Sequence, residues 1–242
     1  MPIEYETEAY YRNEERHRFI TGISRCVLYI VLINILVFLF LAFGSRIGLI
    51  DAKRVVETFG QVNSKVFGSL MIWQFITAMF LHGGIMHLVN NMLLLWVFGT
   101  LLEEEWGWRI FLFYYLVCGV GAGLLEYCVA PSSTVPGIGA SGAIFGLLGG
   151  AGLLFPRREV YVFMAKVQLK YVVAFFVLLE LYFCFMGAQD GIGHWVHISG
   201  LVIGIGFIKL RGLIMKKRAQ KNFEAAASGK KAGGSRFDNI EF

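Results

Sequence analysis

The sequence predicts an all-α membrane protein, a bundle of six transmembrane helices, and three observations lead to this fold class. Hydrophobic residues make up 57% of the 242 residues. The mean hydropathy is +0.63, a balance that soluble domains of this length rarely reach. Six apolar segments approach the roughly 20 residues that a helix needs to cross a bilayer, and they lie near 25–43, 84–102, 109–128, 139–155, 168–186 and 195–211.

The segments after the first differ in the polar and small residues that they carry. The second contains histidine and asparagine and the sixth contains histidine, side chains that are costly in lipid unless they are paired or wet. The third carries Glu126 near its outer end, where we expect contact with solvent. The fourth is short and rich in glycine, which favours a helix buried among its neighbours. The fifth contains Glu180, a charge for which the sequence alone provides no partner.

Lysines and arginines in the loops predict the orientation of the chain in the membrane. One side of the predicted bundle carries 18 of them, and the other side carries only four, which are Arg46, Lys53, Arg54 and Lys65. We therefore expect both termini in the cytoplasm, with a cytoplasmic segment at 1–24 and the membrane domain at 25–211. A basic, disordered cytoplasmic tail is expected at 212–242, in contact with lipid headgroups rather than with nucleic acid.

Four polar residues on three of the predicted helices are expected to meet at one depth. His87 and Asn91 are four residues apart and share a helical face. Ser141 opens the fourth segment and His197 lies in the first turn of the sixth, and both segments follow loops on the non-cytoplasmic side. Small residues beside both positions allow the two backbones to approach each other: they are Gly142, Gly146, Gly149, Gly150, Gly200 and Gly204.

These residue types together suit acyl transfer. A histidine in hydrogen-bond reach of a serine activates the hydroxyl by taking its proton as the oxygen attacks. The Asn91 amide, a His87 ring N–H and the Ser141 backbone N–H are suitable donors for a developing oxyanion. Gly137 and Gly139 allow the chain to turn sharply before the serine. Taken alone, Ser141 reads as a packing residue, and the three polar companions favour catalysis.

Three motifs resemble those of the rhomboid family of intramembrane serine proteases. The first is Gly139-Ala140-Ser141-Gly142 on the fourth helix, and the second is His197-Ile198-Ser199-Gly200 on the sixth. The third is "HGGIMHLVNN" at 82–91, preceded by "WQFITAMFLHGG" from residue 73. The resemblance covers about residues 25–211, and three short motifs in the right order on six helices are highly specific.

The resemblance implies a rhomboid-like bundle with a Ser141–His197 dyad and no acidic third member. It implies supporting roles for His82, Gly139, Phe145 and Gly200, and an oxyanion hole formed by His87, Asn91 and Ser141. Phe145 would pack against the His197 ring. His194 would face the loop or water. No metal or cofactor is implied.

The resemblance also implies what the protein meets in the membrane. Transmembrane protein substrates would enter from the lipid bilayer past the fifth helix and the 187–193 loop, which would form a gate and a cap. The 44–72 loop would be partly embedded in the membrane. A bacterial inner membrane is the expected location.

Alternatives differ in the residues that they require. A zinc protease would need His-Glu-x-x-His on one helix, and no histidine here precedes a glutamate. An aspartyl protease would need two aspartates in the membrane, and all three aspartates lie outside the segments. A channel or transporter would need a polar path that continues beyond Asn91. A non-catalytic rhomboid-like protein that binds membrane helices is the main alternative, although such proteins typically lack the serine or the histidine.

Overall fold

A computed structural model describes residues 23–162, 164–186 and 193–227 of the chain. A 3₁₀ turn at Ala78–Phe80 precedes the second span, and a π-helical turn at Leu95–Gly99 lies within that span. The other elements are α1 (Arg25–Arg46), α2 (Ala52–Phe59), α3 (Asn63–Val66), α4 (Gln74–Thr77), α5 (Ile85–Leu94), α6 (Thr100–Trp106), α7 (Trp108–Val129), α8 (Ser141–Leu154), β1 (Glu159–Val162), β2 (Ala165–Gln168), α9 (Leu169–Met186) and α10 (His194–Ala227).

Within the described ranges, five stretches of helix are long and apolar enough to cross a membrane. They are α1, the continuous span Ile85–Trp106, α7, α9 and the His194–Lys221 part of α10. The fourth predicted segment corresponds to α8, an apolar helix of only 14 residues. The predicted all-α fold class is confirmed, and each of the six apolar segments forms a helix.

The small β-hairpin between α8 and α9 was not predicted. β1 pairs antiparallel with β2, and Val160 lies opposite Val167. β-branched residues favour extended backbone, and the Leu169 N–H donates to the carbonyl of Arg158 at 2.8 Å, which ties the hairpin to the start of α9. The connection is therefore an ordered element rather than a loop.

α8 forms the centre of the bundle. Every residue from Gly142 to Ala151 is buried. A Cβ atom on Gly200 of α10 would overlap the carbonyl oxygen of Gly142, and one on Gly146 would lie 3.2 Å from the carbonyl oxygen of Gly200. The two helices therefore touch through their backbones, as the stripe of small residues predicted.

The 44–72 loop is held in place by the side chain of Gln74, which is fully buried. Its Oε1 accepts a hydrogen bond from the Val62 N–H at 3.0 Å. Its Nε2 donates to the carbonyls of Glu57 and Thr58 at 3.1 and 3.2 Å. One side chain thus satisfies backbone groups on both sides of a turn that would otherwise be buried without partners.

Two features lie at the end of the bundle opposite to the 44–72 loop. One differs from the expected disordered tail, and the other was not predicted from the sequence. α10 continues to Ala227, so residues 212–227 of the predicted tail are helical rather than disordered. Residues 228–242 and 1–22 lie outside the described residues. Glu103 accepts hydrogen bonds from the Ser24 hydroxyl at 2.5 Å and from the Cys26 and Val27 N–H groups at 2.9 Å, which satisfies the start of α1.

Candidate active site

Ser141 is the first residue of α8 and follows a sharply turned backbone. Gly139 has φ +120°, a conformation that favours glycine. A Cβ atom placed there would lie 2.7 Å from Nε2 of His87 and 3.8 Å from Oγ of Ser141. The missing side chain therefore makes room for the His87 ring beside the serine. The Gly139 N–H donates to the carbonyl of Ala78 at 2.9 Å, which fixes the turn.

A cavity of about 570 Å³ lies beside the serine. Ser141, His87 and Gly193 line it together with the loop before α8. Gln61 and Glu126 form a polar part of its wall, and Nε2 of Gln61 donates to Oε2 of Glu126 at 3.2 Å. Glu126 therefore faces this cavity. The serine therefore opens onto a space of the size of a small-molecule site.

His197 lies on α10 against the first turns of α8. Its ring stacks on Phe145 with the centroids 4.3 Å apart and the planes 4° from parallel. Phe145 follows Ser141 by four residues and so shares its helical face. A Cβ atom on Gly142 would lie 2.9 Å from Cγ1 of Val196, the residue before His197. The predicted stacking is confirmed, and the helical turns that carry the serine and the histidine are in contact.

The residues of α5 occupy two different positions relative to the cavity. His87 lines it, whereas Asn91 is buried and its Nδ2 donates to the His87 carbonyl at 2.8 Å. An amide nitrogen carries two protons, so this bond leaves one for another acceptor. The predicted oxyanion role of Asn91 would use this second proton.

His82 packs edge-on against His87, with the ring centroids 5.0 Å apart. Its two ring nitrogens are buried without a hydrogen-bond partner among the described residues. Burial, and then the neighbouring His87, lower the pKa of His82 to about 4. His82 is therefore neutral at pH 7 and supports the His87 ring by packing.

The largest departure from the expected site is a buried carboxylate beside His197. Oε1 of Glu180 lies 2.9 Å from Nδ1 of His197, which is within the distance of an ion pair. The contact is poorly aligned for a hydrogen bond. Oε2 of Glu180 lies 2.6 Å from Nδ1 of His194. His194 is only 6% exposed, so the expectation that it faces the loop or water is wrong. A carboxylate thus lies beside the imidazole of the expected dyad, for which the resemblance implies no acidic third member.

The sequence contained one signal for this cluster. A glutamate inside an apolar segment needs a partner, and histidines at the start of the next helix are the nearest candidates along the chain. Which face of α9 packs on α10 depends on tertiary structure, so the pairing could not be assigned. Much of the loop that joins these helices, 187–192, and with it most of the predicted cap, lies outside the described residues.

Glu180, His194 and His197 also form a donor set that could hold a metal ion, since their ligand atoms all lie within 4.8 Å of one another. Ligands around a tetrahedral zinc ion, at about 2.0–2.1 Å from it, lie roughly 3.4 Å apart. The 2.6 and 2.9 Å separations found here are shorter and are those of a carboxylate in direct contact with the imidazoles. The geometry therefore favours direct contacts between Glu180 and the two histidines.

Comparison with known proteins agrees with this architecture. The Rhomboid domain family model matches residues 69–212. The chain is similar to RHOMBOID-like protein 6, mitochondrial, of Arabidopsis thaliana, with 33% identity over 69% of this chain and 49% of that protein. It is also similar to Rhomboid protease GluP of Bacillus subtilis (strain 168), with 34% identity over 60% of this chain and 27% of that protein.

A third relative, Rhomboid-like protease 3 of Toxoplasma gondii, is 26% identical over 64% of this chain and 58% of that protein. The matches to the two relatives above span about half and about a quarter of their lengths. The family is one of intramembrane-protease type, and the membrane-length helices make the chain an integral multi-pass membrane protein. Because the family model covers more than half of its residues, the chain belongs to the rhomboid family.

Proposed function

We propose that the chain is an intramembrane serine endopeptidase that cleaves transmembrane segments of membrane proteins, with Ser141 as nucleophile and His197 as general base. One observation carries the proposal. Ser141 begins a buried helix at a cavity that it shares with His87. One turn further along that helix, Phe145 stacks on the ring of His197. A packing serine would need neither the cavity nor the histidine.

The reaction proceeds through an acyl-enzyme. Oγ of Ser141 bonds to the carbonyl carbon of the substrate while Nε2 of His197 takes the hydroxyl proton. The C–N bond then breaks, and the leaving amine receives that proton from His197. Water attacks the ester carbonyl, gives a proton to His197 and forms the new carboxyl group. The serine oxygen leaves and regains its proton from the imidazolium.

Negative charge on the carbonyl oxygen needs hydrogen-bond donors as the tetrahedral intermediate forms. The Ser141 N–H belongs to the first turn of α8, where amides have no partner within the helix. His87 reaches the same cavity, and Asn91 follows it by one turn. We assign the oxyanion to these three donors. Asn91→Ala should cost less activity than loss of Ser141, since one donor is commonly worth about 10²–10³ in rate.

The substrate is a membrane-spanning helix that enters laterally and unwinds at the site, because a peptide bond in a helix is shielded from attack. Small or helix-breaking residues lower helix stability and should mark the cleavage region. α9 is the candidate gate, since Leu169 and Glu180 are its only buried residues and its other side chains reach the surface. The site would open towards the non-cytoplasmic side of the membrane, with the bacterial inner membrane as the proposed location.

The first test is labelling of the detergent-solubilised protein with a fluorophosphonate probe, together with cleavage of a fluorescent transmembrane substrate. Wild type should react in both assays. Ser141→Ala and His197→Ala should lose at least about a thousandfold in turnover, because the two side chains act as one unit. Ser199→Ala is the matched control, a serine-to-alanine change on α10 away from the cavity, and should keep its activity.

Circular dichroism must show that all variants fold. A folded wild-type protein that neither labels nor cleaves would contradict the proposal. The non-catalytic protein that binds membrane helices would then be the better account. Equal activity of Ser141→Ala and wild type would remove Ser141 from the mechanism.

A further inference from the structure

We propose that Glu180 is the acidic positioning residue of His197, so that the chain works through a Ser-His-Glu arrangement rather than through a dyad. This inference rests on the proposed function of Ser141 and His197. It assigns a role to a buried charge that the reaction above does not use.

The position of Glu180 in α9 is the first argument. α9 is 18 residues long, and only Leu169 and Glu180 are buried in it. The apolar side chains nearby are exposed, for example Leu178 and Tyr182, at 67% and 56%. The helix therefore turns its one carboxylate inwards while it leaves hydrophobic surface to the membrane. Charged side chains within a membrane face the interior of the bundle and pair there, so the inward orientation of Glu180 indicates a partner inside the bundle.

The second argument is the atom that the carboxylate meets. Oε1 of Glu180 lies 2.9 Å from Nδ1 of His197. The contact is poorly aligned for a hydrogen bond, but the negative carboxylate attracts an N–H group and repels a lone pair at Nδ1, so it favours the tautomer with the proton on Nδ1. The lone pair is then on Nε2, the nitrogen that must take the Ser141 proton. A carboxylate at this place also stabilises the imidazolium that forms during the attack.

The third argument is the restraint on all three side chains. His194 holds the second carboxylate oxygen at 2.6 Å, which fixes the rotation of the Glu180 head group. The His194 ring stacks on Phe183 with the centroids 5.0 Å apart, and the His197 ring stacks on Phe145 at 4.3 Å. Both imidazoles are therefore clamped by aromatic rings. Because the contact with His197 is poorly aligned for a hydrogen bond, its main component is charge attraction. Charge attraction is strong where water is excluded.

A purely structural role for Glu180, as a polar link between α9 and α10, makes different predictions. Such a link would affect folding and leave the protonation of the His197 ring unchanged. The decisive variants are therefore Glu180→Gln, which keeps shape and removes charge, and Glu180→Asp, which keeps charge and shortens the side chain. Glu103→Gln is the matched control, because it makes the same change at another buried carboxylate, one that binds the Cys26 and Val27 N–H groups and not His197.

We expect Glu180→Gln to lower kcat about 10²- to 10³-fold with KM within twofold of wild type, since loss of the correct tautomer is a defect of the chemical step. Glu180→Asp should recover at least tenfold over Glu180→Gln. Glu103→Gln should keep kcat within about tenfold of wild type. Helical circular dichroism and thermal unfolding of each variant report on folding.

The second readout needs no turnover. Nitrogen-15 NMR of histidine-labelled protein in detergent, with His197→Gln to assign the signal, should show the proton on Nδ1 of His197 in wild type. In Glu180→Gln we expect it to move partly or wholly to Nε2. An unchanged tautomer would overturn the inference, and so would wild-type kcat in the folded variant. A wild-type protein that is inactive would defeat the proposed function, and the NMR comparison would still decide the role of Glu180.

Discussion

Gly139 shows how closely single atoms are fitted around Ser141. Its φ of +120° is unfavourable for any residue with a Cβ atom, and that atom would also lie 2.7 Å from Nε2 of His87. Two separate penalties therefore act against a side chain at this position. The backbone penalty alone is about 1–3 kcal/mol.

We expect Gly139→Ala to lower the free energy of unfolding by about 2 kcal/mol and to slow fluorophosphonate labelling at least tenfold, because the His87 ring must move. Gly137→Ala is the control, since a Cβ atom there would meet nothing closer than Oε2 of Glu126 at 3.5 Å. Thermal unfolding in detergent and labelling rates measure both effects. Similar losses in the two variants would show that the loop as a whole is sensitive, and that the contact with His87 is not the cause.

At this scale the sequence was informative where a residue type can be read together with its local spacing. Ser141, His87 and Phe145 were identified from motifs whose members are close along the chain. The contact of Glu180 with His197 joins residues 17 positions apart on two helices. It depends on the rotation of α9 about its axis, which a nearly uniform apolar segment does not encode.

The contact between α8 and α10 is the element on which the site depends, since it brings His197 to the helix of Ser141. It is made by glycines, and a Cβ atom on Gly200 would overlap the Gly142 carbonyl. Gly206, on the same helix, has open space around the corresponding position. The two glycines therefore allow a matched comparison.

We expect Gly200→Ala to destabilise the fold by about 1–3 kcal/mol through overpacking and to abolish labelling, because α10 must shift away from Ser141. Gly206→Ala should leave labelling unchanged and stabilise the helix slightly, since alanine is the better helix former by about 1 kcal/mol. Thermal unfolding and probe labelling of both variants provide the comparison. Full labelling by a folded Gly200→Ala protein would contradict the backbone contact.

Elements were predictable from the sequence to different degrees. The six apolar segments and the glycine stripe fixed the helices and one of their contacts, since both depend on patterns repeated over several turns. The extension of α10 to Ala227 departs from the disordered tail that a basic composition predicts, because lysine, arginine and alanine are good helix formers. The hairpin was missed because its strands are only four residues long.

For the molecule as a whole, the distribution of lysine and arginine predicts both termini in the cytoplasm. Alkaline phosphatase fused after Ser133, which follows three predicted spans, should be active in a bacterial host. The same reporter fused after Lys221 should be inactive, and green fluorescent protein at that position should fluoresce. The reverse result for both fusions would invert the orientation and move the cavity to the cytoplasmic face.

The length of α8 has a consequence for the depth of the serine. Fourteen residues extend about 21 Å, whereas the hydrocarbon core of a bilayer is about 30 Å thick. With its C-terminal end at one boundary, α8 stops roughly 9 Å below the other, a shortfall of less than two turns. We therefore expect Ser141 to lie below the membrane surface, with the space above the shortened helix open to water from the non-cytoplasmic side.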